Sequence, residues 1–257
     1  HGTAVVTGYI GSDEFGNVTT LGRGGSDYTA AIFGAALKAD AICIWTDVDG
    51  VLTADPRRVE QAFTSPTLSY KEAMELSHFG AKVIYPPSIQ PAYIKNIPLI
   101  IKNTFNPEHP GTHISKKAGK SNNTIKGISS ISNIALLRME GTGMVGVVGI
   151  ASRLFGCLSR AGINIIFLTQ GSSEHSICFG IVPNEVKKAQ KCVEEEFRFE
   201  IQNRQIAPLV VETSNSIIAV IGENMSNVPG VSAKMFKALG KNGINVKAIA
   251  QGSSELN

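Results

Sequence analysis

The chain has 257 residues, enough for about two domains at roughly 150 residues each. Hydrophobic residues make up 43% and charged residues 18%, a mixture that builds sizeable cores. The net charge of +3 is small and evenly spread, and no apolar run reaches the ~18 residues of a membrane span, so neither nucleic acid nor membrane is an expected partner. Cys43, Cys157, Cys178 and Cys192 lie far apart with no CxxC pair, which argues against zinc and disulfides and for reduced thiols in the cytoplasm. His1-Gly2-Thr3 runs almost directly into an apolar stretch, and Gly252-Ser253-Ser254-Glu255-Leu256-Asn257 stops in mid-element, so a fragment is expected.

The first half alternates strands with helices, the pattern of α/β layers. Ala4–Ile10 reads as a short apolar strand, with the turn residues Asp13-Glu14-Phe15-Gly16-Asn17 leading to a second strand at Val18–Leu21. The loop Gly22-Arg23-Gly24-Gly25-Ser26-Asp27 precedes a helix from Tyr28 to about Lys38 that is apolar nearly all round, hence expected to be buried. Ala41–Trp45 is a continuous apolar run, as in a strand covered on both faces. Ser69 and Glu72 form a capping box at the start of a helix running to about Ser77, and Leu99–Ile101 closes the half as a buried strand. Asn106–Asn123 is rich in Pro, Gly, Lys and Asn, lacks periodicity and reads as a linker. The organisation expected is a first domain over 1–115, a linker at 116–125, and two further units over 126–212 and 213–257.

The second half contains a repeat: at a constant offset of 81, Ser152–Glu174 aligns with Ala233–Glu255 with ten identities. Gly162-Ile163-Asn164 recurs as Gly243-Ile244-Asn245, and Gln170-Gly171-Ser172-Ser173-Glu174 as Gln251-Gly252-Ser253-Ser254-Glu255. Each copy reads as a strand (Ile134–Met139; Ile217–Ile221), a helix ended by a left-handed glycine, and a second strand (Asn164–Leu168; Asn245–Ile249). Copy one continues with a strand at Ser176–Val182, a helix at Asn184–Phe197 and a closing strand, whereas copy two is cut short.

Two segments could carry chemistry. In Gly22–Asp27, three glycines let backbone N–H groups approach a ligand at a helix start, and Arg23 offers a fork for carboxylate or phosphate; the alternative is a glycine-rich turn with Ser26 or Asp27 as an ordinary cap. Thr46-Asp47-Val48-Asp49-Gly50-Val51-Leu52-Thr53-Ala54-Asp55-Pro56-Arg57 follows a buried strand, at the edge where open α/β sheets bind ligands, and otherwise reads as a polar turn. Two such loops after elements of one sheet favour a nucleotide and phosphate site, with Lys82 in His78-Phe79-Gly80-Ala81-Lys82-Val83 as a partner for phosphate charge. No acid–His–nucleophile pattern or Cys/His metal set exists, so a metal would be magnesium held with a nucleotide. The paired Asn164/Asn245 and Gln170/Gln251 suit recognition of a zwitterionic amino acid, since amides both donate and accept.

At these residues the sequence resembles aspartate kinase. Leu21–Ala30, Trp45–Val51, Asp55-Pro56-Arg57 and Phe79–Val83 are similar to successive motifs of that family, and the repeated Gly-Ile-Asn…Gln-Gly-Ser-Ser-Glu halves are similar to its tandem ACT regulatory domains. Among subfamilies they resemble most the threonine-sensitive kinase fused to homoserine dehydrogenase. The resemblance implies an amino acid kinase α/β/α sandwich, here partial, followed by two ferredoxin-like ACT units. It implies phosphorylation of L-aspartate by MgATP to 4-phospho-L-aspartate. Arg23, Gly25 and Ser26 would hold aspartate, and Asp27 would organise the transfer. Thr46, Asp47, Arg57, Lys82 and Val83 would hold ATP. Asn164, Ile165, Leu168 and Gln170, with Asn245, Val246, Ile249 and Gln251, would hold a regulatory amino acid, threonine ahead of lysine. A homo-oligomer built through the ACT units is a further implication. The family's opening Lys-Phe-Gly-Gly motif is absent and Leu52 stands where many relatives carry Tyr, so this chain alone is expected to be inactive. The rival reading is a catalytically silent amino-acid sensor.

Overall fold

The computed structural model describes residues 2–78, 84–116, 123–171, 174–223, 225 and 228–251. The chain divides into two compact units, one holding His1–Ser130 and Ile218–Val231, the other Ile131–Ile217 and Ser232–Gln251.

The first unit opens with a hairpin of β1 (Ile10–Ser12) and β2 (Val18–Thr20), closed by Asp13, whose carboxylate accepts from the backbone N–H groups of Phe15 and Asn17. The strand expected over Ala4–Ile10 does not form: residues 2–8 are irregular and Val5 is 96% exposed, because no partner strand offers them a ladder. Helix α1 spans Gly25–Leu37, starting three residues earlier than expected. It buries Ala31 and Gly34 but exposes Ile32, Phe33 and Leu37, so the expectation of burial all round fails. A wholly apolar surface hides which side a helix packs on.

Strands β3 (Ile42–Thr46), β4 (Thr67–Ser69), β5 (Leu99–Asn103) and β6 (Thr112–Ser115) form one sheet in the order β3-β5-β6-β4. β3 and β5 are parallel with Ile44 opposite Ile101, and β6 runs antiparallel to β5 and parallel to β4. Ile42 and Ile44 are buried while Cys43 and Trp45 are exposed, so β3 is covered on one face rather than two. The open face carries Lys102, whose ammonium lies 5.3 Å from the Trp45 ring centroid. β6 lies inside the stretch read as linker. Its place is fixed by Ile114 in the core and by Thr112, whose hydroxyl accepts from Val51 N–H and donates to Ser65 O, contacts that local composition does not reveal. Helix α2 (Tyr70–His78) begins as the capping box requires: Ser69 N–H donates to the Glu72 carboxylate and Glu72 N–H to Ser69 Oγ. Helix α3 (Gln90–Lys95) precedes β5.

The second region is built on β7 (Gly127–Glu140), α4 (Ile150–Arg160), β8 (Phe167–Gln170), β9 (Ser176–Ile181), α5 (Val186–Glu196), α6 (Arg198–Gln202) and β10 (Val210–Ile221). Its sheet order is β10-β7-β9-β8, with β7 and β8 antiparallel to β9. This is the ferredoxin-like arrangement that the resemblance implies for the first copy, closed over a core that includes Leu137, Leu154, Phe179 and Phe197. β10 is one strand where the sequence suggests a closing strand and a separate one at Ile217–Ile221. In the second copy α7 (Val231–Lys241) forms. Both repeat helices end alike: Gly162 and Gly243 have φ of 64° and 67°, and Ile163 and Ile244 N–H return to the carbonyls of Leu158 and Leu239. The strand expected at Asn245–Ile249 does not form; residues 244–251 are irregular, with Ile244, Val246 and Ile249 exposed. Extended apolar sequence becomes a strand only when a neighbour pairs with it.

Candidate active site and regulatory positions

The glycine-rich loop is shaped by its neighbours. Gly24 has φ 67°, and a Cβ there would stand 2.7 Å from Tyr85 Cβ, so only glycine fits both the backbone and the contact. A Cβ on Gly25 would meet Tyr9 at 2.8 Å. Thr29 locks this corner, its hydroxyl donating to Gly25 O at 2.8 Å and accepting from Tyr9 N–H at 3.0 Å. Gly24 takes the N-cap position of α1, which places Ser26 and Asp27 in the first helical turn rather than at the cap. Arg23 and Ser26 are exposed, and Arg23 makes no ion pair or side-chain hydrogen bond with a described residue. Asp27 is half-buried, and burial pushes its carboxyl above the ordinary value. Helix dipole and free N–H groups at this end favour negative charge, so the loop presents an exposed guanidinium beside an anion-friendly helix start.

The second loop leaves the end of β3. Thr46 O accepts from Thr104 N–H, and Thr46 Oγ1 donates to the Asp47 carboxylate at 3.2 Å. Asp49 accepts from Asn103 Nδ2 at 2.8 Å and Asn106 Nδ2 at 3.1 Å, which ties the loop to the end of the parallel neighbour β5. Arg57 is turned back on Asp55: Nε and Nη2 donate to the two carboxylate oxygens at 3.0 and 2.9 Å. These bonds hold the Asp55 carboxyl below its ordinary range, and Asp55 raises the Arg57 guanidinium in turn. The Arg57 side chain is 81% exposed, so this pair is weak enough to open for an incoming anion.

Lys82 and Val83 lie outside the described residues. Tyr85, three positions beyond Lys82, touches Gly24, so the chain leaving that motif comes against the glycine loop. Tyr85, Asn103 and Asn106 are not legible as site residues from sequence; the signal for the last two is the asparagine that ends the Leu99–Asn103 strand and the one three residues on. Among the described residues no group of three or more His, Cys, Asp and Glu gathers to hold a metal. A magnesium ion would therefore depend on phosphate oxygens for most of its ligands.

In the first repeat Leu168 and Gln170 share one face of β8, opposite Phe179 and Ile177 of β9, and both are exposed. Asn164 is exposed in the segment leading to β8, while Ile165 packs against the core of the unit. Their second-copy counterparts Asn245, Val246, Ile249 and Gln251 are exposed in irregular chain and form no equivalent strand. The Lys247 ammonium in that segment pairs with the Glu212 carboxylate of β10.

The sequence profile of the amino acid kinase family matches residues 2–103, and that of an ACT domain matches residues 137–197 and 218–257. A chloroplastic bifunctional aspartokinase/homoserine dehydrogenase of Daucus carota is 45% identical over 262 residues, covering 99% of this chain and 28% of that protein. The crystal structure of Clostridium acetobutylicum aspartate kinase superposes with a TM-score of 0.86 at 34% identity, covering 97% of this chain and 57% of the other. E. coli aspartokinase III, solved in complex with aspartate and ADP, gives a TM-score of 0.75 at 31% identity, covering 96% of this chain and 54% of the other. The chain thus spans less than a third of the carrot protein and little more than half of the two solved kinases. With both profiles in order, the chain carries an amino acid kinase segment followed by an ACT region, and along nearly its whole length it is similar to aspartate kinases.

Proposed function

We propose that this chain is part of an aspartate kinase that transfers the γ-phosphoryl group of MgATP to the side-chain carboxylate of L-aspartate, giving ADP and 4-phospho-L-aspartate. The observation that carries the reading is the pair of loops at Gly22–Asp27 and Thr46–Arg57, each at the end of an element of one α/β unit, in a chain akin to a kinase solved with aspartate and ADP. Arg23, with Gly25 and Ser26, holds the substrate carboxylates, and its exposed, unengaged guanidinium supports that role. Asp27 orients the transfer. Thr46, Asp47, Arg57, Lys82 and Val83 hold the nucleotide, with Arg57 exchanging Asp55 for phosphate. Magnesium, when bound with the nucleotide, neutralises phosphate charge. A phosphoryl transfer to a carboxylate needs positioning and charge neutralisation more than covalent help, which matches a site of glycines, hydroxyls and guanidinium groups.

In this proposal the ACT region senses an end-product amino acid, threonine ahead of lysine, through Asn164, Ile165, Leu168 and Gln170 and their counterparts Asn245, Val246, Ile249 and Gln251. The exposed edge strand β8 supports pairing of copies into a homo-oligomer. Four free thiols suit the reducing cytoplasm, and none of the described helices is long and apolar enough to cross a membrane.

The test is Asp27→Ala in the native polypeptide. Aspartate-dependent ADP formation falls by about 10²-fold or more, while threonine binding measured by calorimetry persists. Unchanged turnover contradicts the assignment, and a wild-type polypeptide that binds threonine without phosphorylating aspartate favours the silent sensor.

A further inference from the structure

A cavity of about 390 Å³ lies within the first unit, between the loop that follows Thr53 and the start of β7. Leu52 and Arg57 are not among its lining residues, although Asp55, the partner of Arg57, is. Its apolar wall is Val59, Phe63 and Ile128, three large side chains that are nonetheless exposed, at 42%, 59% and 47%. Its polar wall is Arg58, Lys126 and Ser129. The two walls are held together by Ile128 N–H donating to Thr53 O at 2.8 Å and by Arg58 Nη1 donating to Ser130 Oγ at 3.3 Å.

Lys126 is the unusual member. It is only 7% exposed, yet its ammonium has no ion pair or hydrogen bond with any described residue. Its stem is buried while its ammonium reaches the cavity, where an anion can meet it. The nearest carboxylate on the lining, Asp55, is already occupied by Arg57. The cavity therefore combines an ammonium with no partner among the described residues, a neighbouring guanidinium, a buried serine and an exposed apolar wall.

We propose that this cavity is a binding site for a small organic anion, with its carboxylate or phosphate on Lys126 and Ser129 and its apolar body against Val59, Phe63 and Ile128. The volume falls in the range of small-molecule sites, and the division into one charged end and one apolar wall fixes the orientation of the ligand. None of the described residues assigned to nucleotide or aspartate lines the cavity, and the site is read by binding alone.

The experiment is calorimetric titration of this chain with phenyl phosphate, benzoate and inorganic phosphate, in the wild type, Lys126→Met, Val59→Asp and Arg23→Ala. The expected result is saturable one-to-one binding of phenyl phosphate or benzoate, whichever anionic group the site prefers, tighter than that of inorganic phosphate. Binding weakens at least tenfold in Lys126→Met and in Val59→Asp, whose exposed position keeps the fold intact, and is unchanged in Arg23→Ala. Absence of saturable binding of both aryl anions overturns the proposal. So does binding that survives both cavity substitutions, or that is lost in Arg23→Ala because the probe occupies the glycine-rich loop instead.

Discussion

Asp27 sits half-buried in the first turn of α1, makes no hydrogen bond with a described residue, and has its carboxyl raised by burial. A carboxyl raised in the folded state is one that the unfolded chain ionises first. Its penalty is absent below the ordinary carboxylate range, develops as pH climbs through the raised value, and is complete above it. Asp27→Asn removes that penalty while keeping the shape. Its thermal midpoint should equal the wild-type value at pH 3 and match or exceed it at pH 7, although turnover is lost. A variant that unfolds several degrees lower at neutral pH would mean the carboxylate stabilises the fold instead. The pairing of lost activity with retained or improved stability is the signature of a residue kept for chemistry. Asp27 was legible in sequence as a polar residue beside three glycines; its placement inside the helix rather than at the cap was not, because Gly24 takes the cap through a left-handed backbone that composition does not display.

At the scale of elements, Arg153 ties α4 to both α5 and α6, beside a second α4–α5 pair between Arg160 and Glu196. Arg153 bonds Glu196 at 3.1 Å and Glu200 at 2.5 Å, donates to Glu196 O at 2.7 Å, and lies 4.4 Å from the Phe197 ring centroid. Its hydrogen bonds hold the Glu200 carboxyl below the ordinary value. A depressed carboxyl contributes stability above the ordinary Glu range, and that contribution is lost as pH falls through the folded value. Arg153→Ala should therefore cost about 1 kcal/mol at pH 7, measured by urea denaturation, with the difference from wild type shrinking below about pH 4. An equal cost at pH 7 and pH 3 would assign the whole effect to packing on Phe197. Elements with a local signature were readable in advance: the Ser69/Glu72 box opens α2, and the glycines ending α4 and α7 adopt the same conformation. Elements defined by a distant partner were not. β6 stood in a Pro- and Lys-rich stretch and is fixed by pairing with β4 and β5, whereas Asn245–Ile249 has strand composition and no strand to join.

For the whole molecule, a kinase segment followed by a duplicated sensor implies reciprocal coupling: an amino acid that binds the ACT region and weakens substrate binding must itself bind more weakly when substrates are bound. Gln170 is exposed on β8, opposite Ile177, where its amide is free of core packing. Gln170→Ala in the native polypeptide should raise the threonine concentration for half-inhibition by roughly two- to tenfold, as expected when a hydrogen bond of about 0.5–1.5 kcal/mol is lost, with uninhibited turnover unchanged. Inhibition at the wild-type concentration would remove Gln170 from the sensor.

Phosphorylation of aspartate itself is tested most directly by ADP formation from MgATP in the native polypeptide, with and without L-aspartate, for the wild type and Arg23→Ala. The account predicts ADP formation that depends on L-aspartate, and an Arg23→Ala variant whose KM for aspartate rises at least tenfold, as expected when a charge-assisted hydrogen bond of about 1.5–3 kcal/mol is removed. ADP formation indifferent to aspartate, or a KM unmoved by loss of the Arg23 guanidinium, would contradict it.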